Sequence, residues 1–147
     1  MNIIMTGSTS FVGAATVREL LRRGHTVTAI VRPKSSKLDT ILEGNEEALL
    51  SGRLLVTEND LSEPEKLLEK VTKPQEVFCH FGWGGSGSVS RTDKALQEKN
   101  MEISLETIRT AKALGCKKFL FSGSQAEYGM HQDLITENTV CEPKSLY

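Results

Sequence analysis

Short apolar runs alternate along the chain with longer segments in which apolar residues recur every three or four positions. Short runs rich in β-branched residues are typical of buried strands, and the longer period is typical of amphipathic helices. The pattern predicts strands over residues 2–5, 26–31, 53–57, 75–81 and 118–122, and helices over 11–23, 38–50, 63–71 and 92–114.

A helical segment follows each strand except the last, which is the arrangement of a parallel sheet with helices on both faces. Right-handed crossovers favour the strand order 3-2-1-4-5, so we expect a Rossmann-type, doubly wound α/β fold. Strand 5 lies at one edge, and we expect the sheet to be incomplete on this C-terminal side. Polar or glycine-rich loops follow the strands, at the edge where such sheets bind ligands.

The composition is that of one globular domain: 147 residues, of which 38% are apolar and 25% charged. The net charge of −1, with Lys and Arg scattered along the chain, favours neither nucleic acid nor a membrane as a partner. Cys79, Cys116 and Cys141 are odd in number and far apart, which argues against disulfides and a zinc site. We therefore expect a cytoplasmic protein without a bound metal.

The first strand ends in Thr6-Gly7, and a second glycine, Gly13, follows inside the first helix. A strand, a tight turn and a helix bring backbone N–H groups and the positive end of a helix dipole to one point. Inside a β-α-β unit, this is the context that a dinucleotide pyrophosphate requires. The alternative is a tight turn with a purely structural role.

The loop after the second strand is basic. A carboxylate there would accept the ribose hydroxyls of NAD. This chain instead has Val31 and Arg32, followed by Lys34, two serines and Lys37. A guanidinium can bind a phosphate through two parallel hydrogen bonds, so the loop favours NADP, with NAD as the second choice. A solvated basic loop is the alternative.

Hydroxyl groups follow the fifth strand, in Ser122-Gly123-Ser124 and in Tyr128, and Tyr147 comes later, after Pro143. With the glycine turn, these motifs resemble the N-terminal part of the extended short-chain dehydrogenase/reductase superfamily, in its NAD(P)-dependent epimerase/dehydratase branch. The family's Thr-Gly-x-x-Gly-x-x-Gly loop is similar to residues 6–13, with Ser10 in place of the middle glycine. Further resemblances are Asp60-Leu61 after strand 3, His80-Phe81-Gly82-Trp83 after strand 4, Asn100 in the long helix, Glu127-Tyr128-Gly129, and Pro143 to Tyr147.

The resemblance implies oxidoreductase-type chemistry on a nucleotide sugar, in which a nicotinamide exchanges hydride with the substrate. Tyr147 would be the general acid or base, and Ser124 would bind the reacting oxygen. The residues expected to bind the cofactor, from the patterns and the resemblance together, are Gly7, Ser8, Thr9, Ser10, Phe11, Val12, Gly13, Arg32, Lys37, Asp60, Leu61, Phe81, Gly82, Trp83 and Asn100.

Simpler alternatives remain open for several of these residues. Asp60 can be a helix N-cap ahead of Pro64, and Trp83 can be a packing residue. His80 is expected to be packed or next to the cofactor rather than catalytic. Glu127 is either a solvated loop carboxylate or, as in some dehydratase relatives, an acid or base.

In the family a lysine follows the tyrosine by one helical turn, and a smaller C-terminal domain binds the substrate. We therefore expect residues 1–147 to be a truncated NAD(P)-binding Rossmann domain, which binds the cofactor but turns over little or no substrate. The open edge of strand 5 favours a homodimer. The alternatives are a non-catalytic NAD(P)-binding sensor and an unrelated flavodoxin-like or response-regulator-like domain. Epimerases, dehydratases and reductases share these residues, so the sequence does not choose among them.

Overall fold

A computed structural model describes residues 1–85 and 87–147 of the chain. The chain divides into two compact units. Unit 1 comprises residues 1–82 and 103–121, and unit 2 comprises residues 83–102 and 122–147.

Unit 1 contains a parallel sheet whose strands follow the order β3-β2-β1-β4-β5. This confirms the predicted α/β class and the predicted strand order. Apart from shifts of one or two residues at their ends, the strands also lie where the pattern predicts them. They are β1 Asn2–Thr6, β2 Thr26–Val31, β3 Leu54–Glu58, β4 Val77–His80 and β5 Lys118–Phe121.

The helices depart from the prediction in two places. The expected single helix over residues 38–50 is wrong, because the chain forms two short helices there. Gly44, at a φ of +74°, lies between them in the left-handed region, and the Asn45 amide donates to the Ile41 carbonyl. The pattern also missed the short helix α5. The helices are α1 Phe11–Arg22, α2 Asp39–Leu42, α3 Glu46–Leu50, α4 Leu67–Lys70, α5 Ser88–Thr92 and α6 Lys94–Ala113, with 3₁₀ turns at Pro64–Lys66 and Gln125–Tyr128.

Apolar clusters cover both faces of the central strands β2, β1 and β4 in unit 1, as a doubly wound fold requires. Neighbouring residues of β1 point to opposite faces, so Ile3 and Met5 join one apolar cluster and Ile4 joins the other. The first cluster packs against α1, α2 and α3, and the second against α4 and the end of α6. This arrangement fixes the carboxyl ends of β1 and β4 side by side.

The buried face of α6 is more polar than the apolar pattern indicates. Met101, Leu105 and Ile108 are exposed, and the buried positions include Gln97, Asn100, Ile103, Thr107 and Thr110. The Thr107 hydroxyl on this face donates to the Ile103 carbonyl at 2.8 Å, whereas the buried Thr110 hydroxyl has no hydrogen-bond partner among the described residues. The apolar period therefore located the helix but did not identify its buried side.

Unit 2 contains α5, the first half of α6 and the segment after β5. Gly129 adopts a φ of +76°, and a Cβ there would collide with the backbone of Glu142. The backbones of Gly129 and Glu142 therefore lie in contact within residues 122–147. Among the described residues of both units, no helix is long and apolar enough to cross a membrane.

Candidate functional site

Two glycines set the geometry of the turn after β1. Gly7 has a φ of +69°, and a Cβ there would lie 2.5 Å from the backbone carbon and oxygen of Phe81. A Cβ on Gly13 would collide with the carbonyl oxygen of Gly7. Only residues without a side chain allow the turn, β4 and α1 to approach this closely. This is the strand–turn–helix context that the sequence predicts.

Ser10, which replaces a glycine of the family motif, is the N-cap of α1. Its backbone is extended, and its hydroxyl oxygen accepts a hydrogen bond from the Gly13 amide at 3.0 Å. The first N–H groups of a helix have no hydrogen-bond partner inside the helix. Ser10 accepts from one of them, that of Gly13, so the N–H groups of Phe11 and Val12 remain at the N-terminus of α1. Phe11 and Val12 are 95% and 59% exposed, so this helix end is open to an anionic ligand.

The other residues of the turn differ in their tasks. Ser8 is fully buried, and its hydroxyl donates to the Ile30 carbonyl at 2.7 Å, which ties the turn to β2. Thr9 is half-buried. The side chain of Ser8 therefore has a structural role, and a ligand could use only its backbone.

The loops after β2 and β3 bring opposite charges together. Arg32 and Lys37 are exposed in the first loop. In the second loop, the Asp60 carboxylate accepts hydrogen bonds from the Ser62 amide and hydroxyl at 2.9 and 2.6 Å. These bonds, and secondarily the charge of Arg32, lower the pKa of the Asp60 carboxyl. The N-cap alternative for Asp60 is wrong, because Glu63 precedes the 3₁₀ turn and Asp60 closes the tighter turn before it.

The end of β4 packs against the glycine turn. The Gly82 amide donates to the Thr6 hydroxyl at 3.3 Å, and a Cβ on Gly82 would lie 2.8 Å from a methyl carbon of Leu61. Phe81 and Gly82 are both half-buried. Unit 1 therefore brings Gly7, Leu61, Phe81 and Gly82 into one contiguous group.

His80 is buried beneath this group. Its Nδ1 lies 2.8 Å from the Thr6 hydroxyl, its Nε2 lies 3.4 Å from the Ser104 hydroxyl, and its ring stacks on Phe119 and Phe121. Burial lowers its pKa to about 4, so the imidazole is neutral at physiological pH. The expectation that His80 is packed is consistent with this environment.

Unit 2 holds the predicted residues Trp83 and Asn100 in a network of side-chain amides. Asn100 accepts from the Gly84 amide at 3.1 Å and donates to the Gly84 carbonyl at 2.8 Å. Gln97 accepts from the Trp83 indole N–H at 2.9 Å. Asn100 therefore fixes the backbone after β4, and Gln97 orients the indole.

Ser124 and Tyr147, the predicted catalytic pair, also lie in unit 2. The Ser124 hydroxyl accepts from the Ala126 amide at 3.2 Å and so caps the 3₁₀ turn at Gln125–Tyr128. The Tyr147 ring contacts Trp83 and Arg91. No hydrogen bond joins Ser124 to Tyr147 within the described residues. Glu127 is exposed, with its carboxylate oxygens next to Gly123, which suits the solvated alternative.

Two residues that contact the predicted site residues, Gln97 at Trp83 and Arg91 at Tyr147, were not predicted from the sequence. The spacing of the polar residues could have indicated Gln97. Gln97, Asn100 and Thr107 recur at helical spacing, which is typical of a polar stripe on the buried face of a helix. Arg91 carries no such signal, because its contact depends on a short helix that the pattern did not predict. No group of three or more potential metal ligands occurs in the part of the chain that the structure describes.

Comparison with known proteins identifies the family. Residues 3–147 match the model of the NAD dependent epimerase/dehydratase family. The chain is 30% identical over its whole length to dTDP-6-deoxy-L-talose 4-dehydrogenase (NAD(+)) of Aggregatibacter actinomycetemcomitans, and covers 50% of that protein. It is 28% identical to D-erythronate dehydrogenase of Cupriavidus necator, and covers 46% of it. The chain thus spans about half the length of these curated relatives.

Solved structures share the fold at lower identity. The UDP-glucose 4-epimerase of Thermotoga maritima superimposes with a TM-score of 0.78 at 24% identity, over the whole chain and 46% of that protein. The UDP-glucose-4-epimerase of Stenotrophomonas maltophila, solved with bound NAD, gives a TM-score of 0.84 at 17% identity over 44% of its length. The family match, supported by this fold, leads to one conclusion: the chain belongs to the NAD dependent epimerase/dehydratase family.

Proposed function

We propose that residues 1–147 form the NAD(P)-binding domain of an epimerase or dehydratase that acts on a nucleotide sugar. The observation that carries this proposal is the turn at Gly7 and Gly13, which a Cβ at either glycine would block. It brings the open N-terminus of α1 to the carboxyl end of β1, where a pyrophosphate would accept backbone N–H bonds. A family relative named for a dTDP-sugar supports the choice of substrate class.

Each unit has its own part in this proposal. In unit 1, the turn from Gly7 to Gly13 would bind the pyrophosphate, Asp60 and Leu61 the adenine, and Phe81 and Gly82 the neighbouring cofactor surface. In unit 2, Trp83 and Asn100 are assigned to the cofactor, Ser124 to hydrogen bonding of the reacting oxygen, and Tyr147 to proton transfer. When bound, the nicotinamide supplies or accepts the hydride.

We further propose that the cofactor is NADP(H) rather than NAD(H), although the family is named for NAD. The support is the exposed, basic loop after β2, in which Arg32 is close enough to Asp60 to affect its pKa. A guanidinium at this place suits a 2′-phosphate on the adenosine ribose. Lys37, further along the loop, adds a second positive charge.

Calorimetric titration of the chain with NADPH and NADH tests both proposals. We expect NADPH to bind more tightly, and we expect Arg32→Gln to weaken NADPH binding about tenfold, since hydrogen bonds to charged groups contribute about 1.5–3 kcal/mol. NADH binding should change little. Arg109→Gln, which removes an exposed arginine paired with Glu106, is the matched control. Tighter binding of NADH would refute the NADP preference, and failure to bind either nucleotide would refute the domain assignment.

The reaction is tested separately, in the protein that carries this chain, by chromatographic analysis of the products formed from a panel of nucleotide sugars, since an epimerase or dehydratase returns the hydride within each turnover and leaves no net change in nicotinamide absorbance. We expect Tyr147→Phe to abolish turnover while cofactor binding is retained. Binding without turnover on any substrate would favour a sensor instead.

We also propose a homodimer and a cytoplasmic location. Exposed apolar side chains on β5 and α6 support the dimer, and three free cysteines support a reducing compartment.

A further inference from the structure

The Tyr147 ring is held by two side chains of unit 2. The Arg91 guanidinium lies over the ring face, 4.6 Å from its centroid. Trp83 meets the same ring edge-on, with centroids 6.3 Å apart and planes at 85°. Both arrangements are favourable, because a ring face attracts cations and the positive edge of another ring. Arg91 thus places a positive charge against the face of this ring.

The position of Arg91 is fixed by buried neighbours. The fully buried Gln97 amide donates to the Ser90 carbonyl at 2.7 Å and accepts from the Trp83 indole at 2.9 Å. The Gln97 side chain therefore holds both Ser90, the residue before Arg91, and Trp83, which contacts the Tyr147 ring. A Cβ on Gly85 would lie 2.7 Å from the Ser90 Cβ, so this glycine allows α5 to pack closely.

A cation on the face of a phenol ring interacts more strongly with the phenolate, because the ring then carries part of a full negative charge. We propose that Arg91 is a positioning residue for Tyr147, which fixes the orientation of its ring and stabilises the ionised form that accepts a proton. This inference rests on the proposed function, since Arg91 has this task only if Tyr147 exchanges protons with a substrate.

The composition of the chain allows a direct test. It contains one tryptophan, Trp83, and two tyrosines, Tyr128 and Tyr147. In a Tyr128→Phe background, a pH titration of Trp83 emission reports the ionisation of Tyr147, because tyrosinate absorbs where tryptophan emits and quenches it by energy transfer. We expect Arg91→Gln to move the midpoint upward, because the variant lacks the positive charge that favours the phenolate over the neutral ring.

Two further variants make the result decisive. Arg109→Gln removes a different exposed arginine, and we expect it to leave the midpoint unchanged. Arg91→Met keeps an unbranched, flexible side chain without the charge, and it decides the matter if Arg91→Gln does not fold. If the folded Arg91 variants and Arg109→Gln have the same midpoint, the proposal is refuted.

Steady-state kinetics of the whole protein separate this inference from the proposed function. We expect Arg91→Gln to shift the pH profile of kcat in the same direction and to leave KM unchanged. If no nucleotide sugar is turned over, the proposed reaction is wrong. The emission titration still decides whether Arg91 stabilises the phenolate.

Discussion

At the scale of single residues, Gly7 combines a left-handed backbone with a close contact to β4, and comparison with Gly52 separates the effects of the two. Gly7 and Gly52 have nearly the same φ, +69° and +70°, so a side chain at either position adopts a strained, left-handed backbone. They differ in their surroundings. A Cβ on Gly7 would meet the Phe81 backbone at 2.5 Å, whereas a Cβ on Gly52 would meet nothing within 4 Å. The pair therefore distinguishes conformational strain from steric exclusion.

We expect Gly52→Ala to lower the free energy of unfolding by about 1–2 kcal/mol, the cost of a left-handed alanine. Gly7→Ala should cost about 1–3 kcal/mol more, because β4 or the turn must move. It should also abolish nucleotide binding. Urea denaturation of both variants measures the difference. Equal losses would show that the contact with Phe81 does not constrain the turn.

At the scale of elements, β4 is joined to β1 and to α6 through one buried histidine. His80 contacts the hydroxyl of Thr6 on β1 and that of Ser104 on α6. Its pKa falls from the usual 6.5 to about 4 because the charged ring would be buried. As the pH falls below 6.5, the His80 ring binds a proton in the unfolded chain, whereas in the folded chain the ring stays neutral down to about pH 4. Stability is therefore lost in this window.

His80→Gln removes the titration while it retains polar atoms for hydrogen bonding. A pKa drop from 6.5 to about 4 corresponds to about 3 kcal/mol. We expect the free energy of unfolding of the natural chain to fall by up to that much more than that of the variant between pH 7 and 4. Denaturant titrations across this range measure both slopes. Parallel curves would contradict the assignment of His80 as a buried, neutral ring.

The positions of the strands and of the glycine turn could be predicted because each depends on one local property, an apolar run or the need for glycine. The central strands β1, β2 and β4 are almost entirely buried. Apolar runs identified all five strands of the sheet together with their order. The break near Gly44 was not predicted, because the apolar period continues through it while the backbone does not. The glycine turn was predictable from its context, since only glycine fits. The hydrogen bonds of Gln97 were not predicted, because a polar side chain at a buried position depends on partners distant in sequence.

At the scale of the whole molecule, the fold and family were predictable because the motifs are distributed along the entire chain. An apolar stripe on α6, made of Met101, Leu105 and Ile108, is exposed. These residues share a helix face, since they are spaced by four and three positions. An apolar stripe of this kind supports self-association.

We expect light scattering to show a dimer that dissociates on dilution. Leu105→Lys, in the centre of the stripe, should shift the equilibrium to the monomer. Leu50→Lys is the matched control, because Leu50 is exposed at the end of α3. A monomer at every concentration, or equal effects of both substitutions, would contradict the proposed dimer.

The Ser10 cap has a consequence for the thermodynamics of ligand binding. A serine N-cap stabilises a helix by about 1 kcal/mol, and here it does so from within the turn itself, through the Gly13 amide. The turn is therefore ordered before any nucleotide arrives, and its conformational entropy is lost on folding rather than on association. If the turn binds a phosphate as proposed, Ser10 exchanges one N–H donor for preorganisation: fewer bonds to the phosphate, but a smaller entropic cost in forming them.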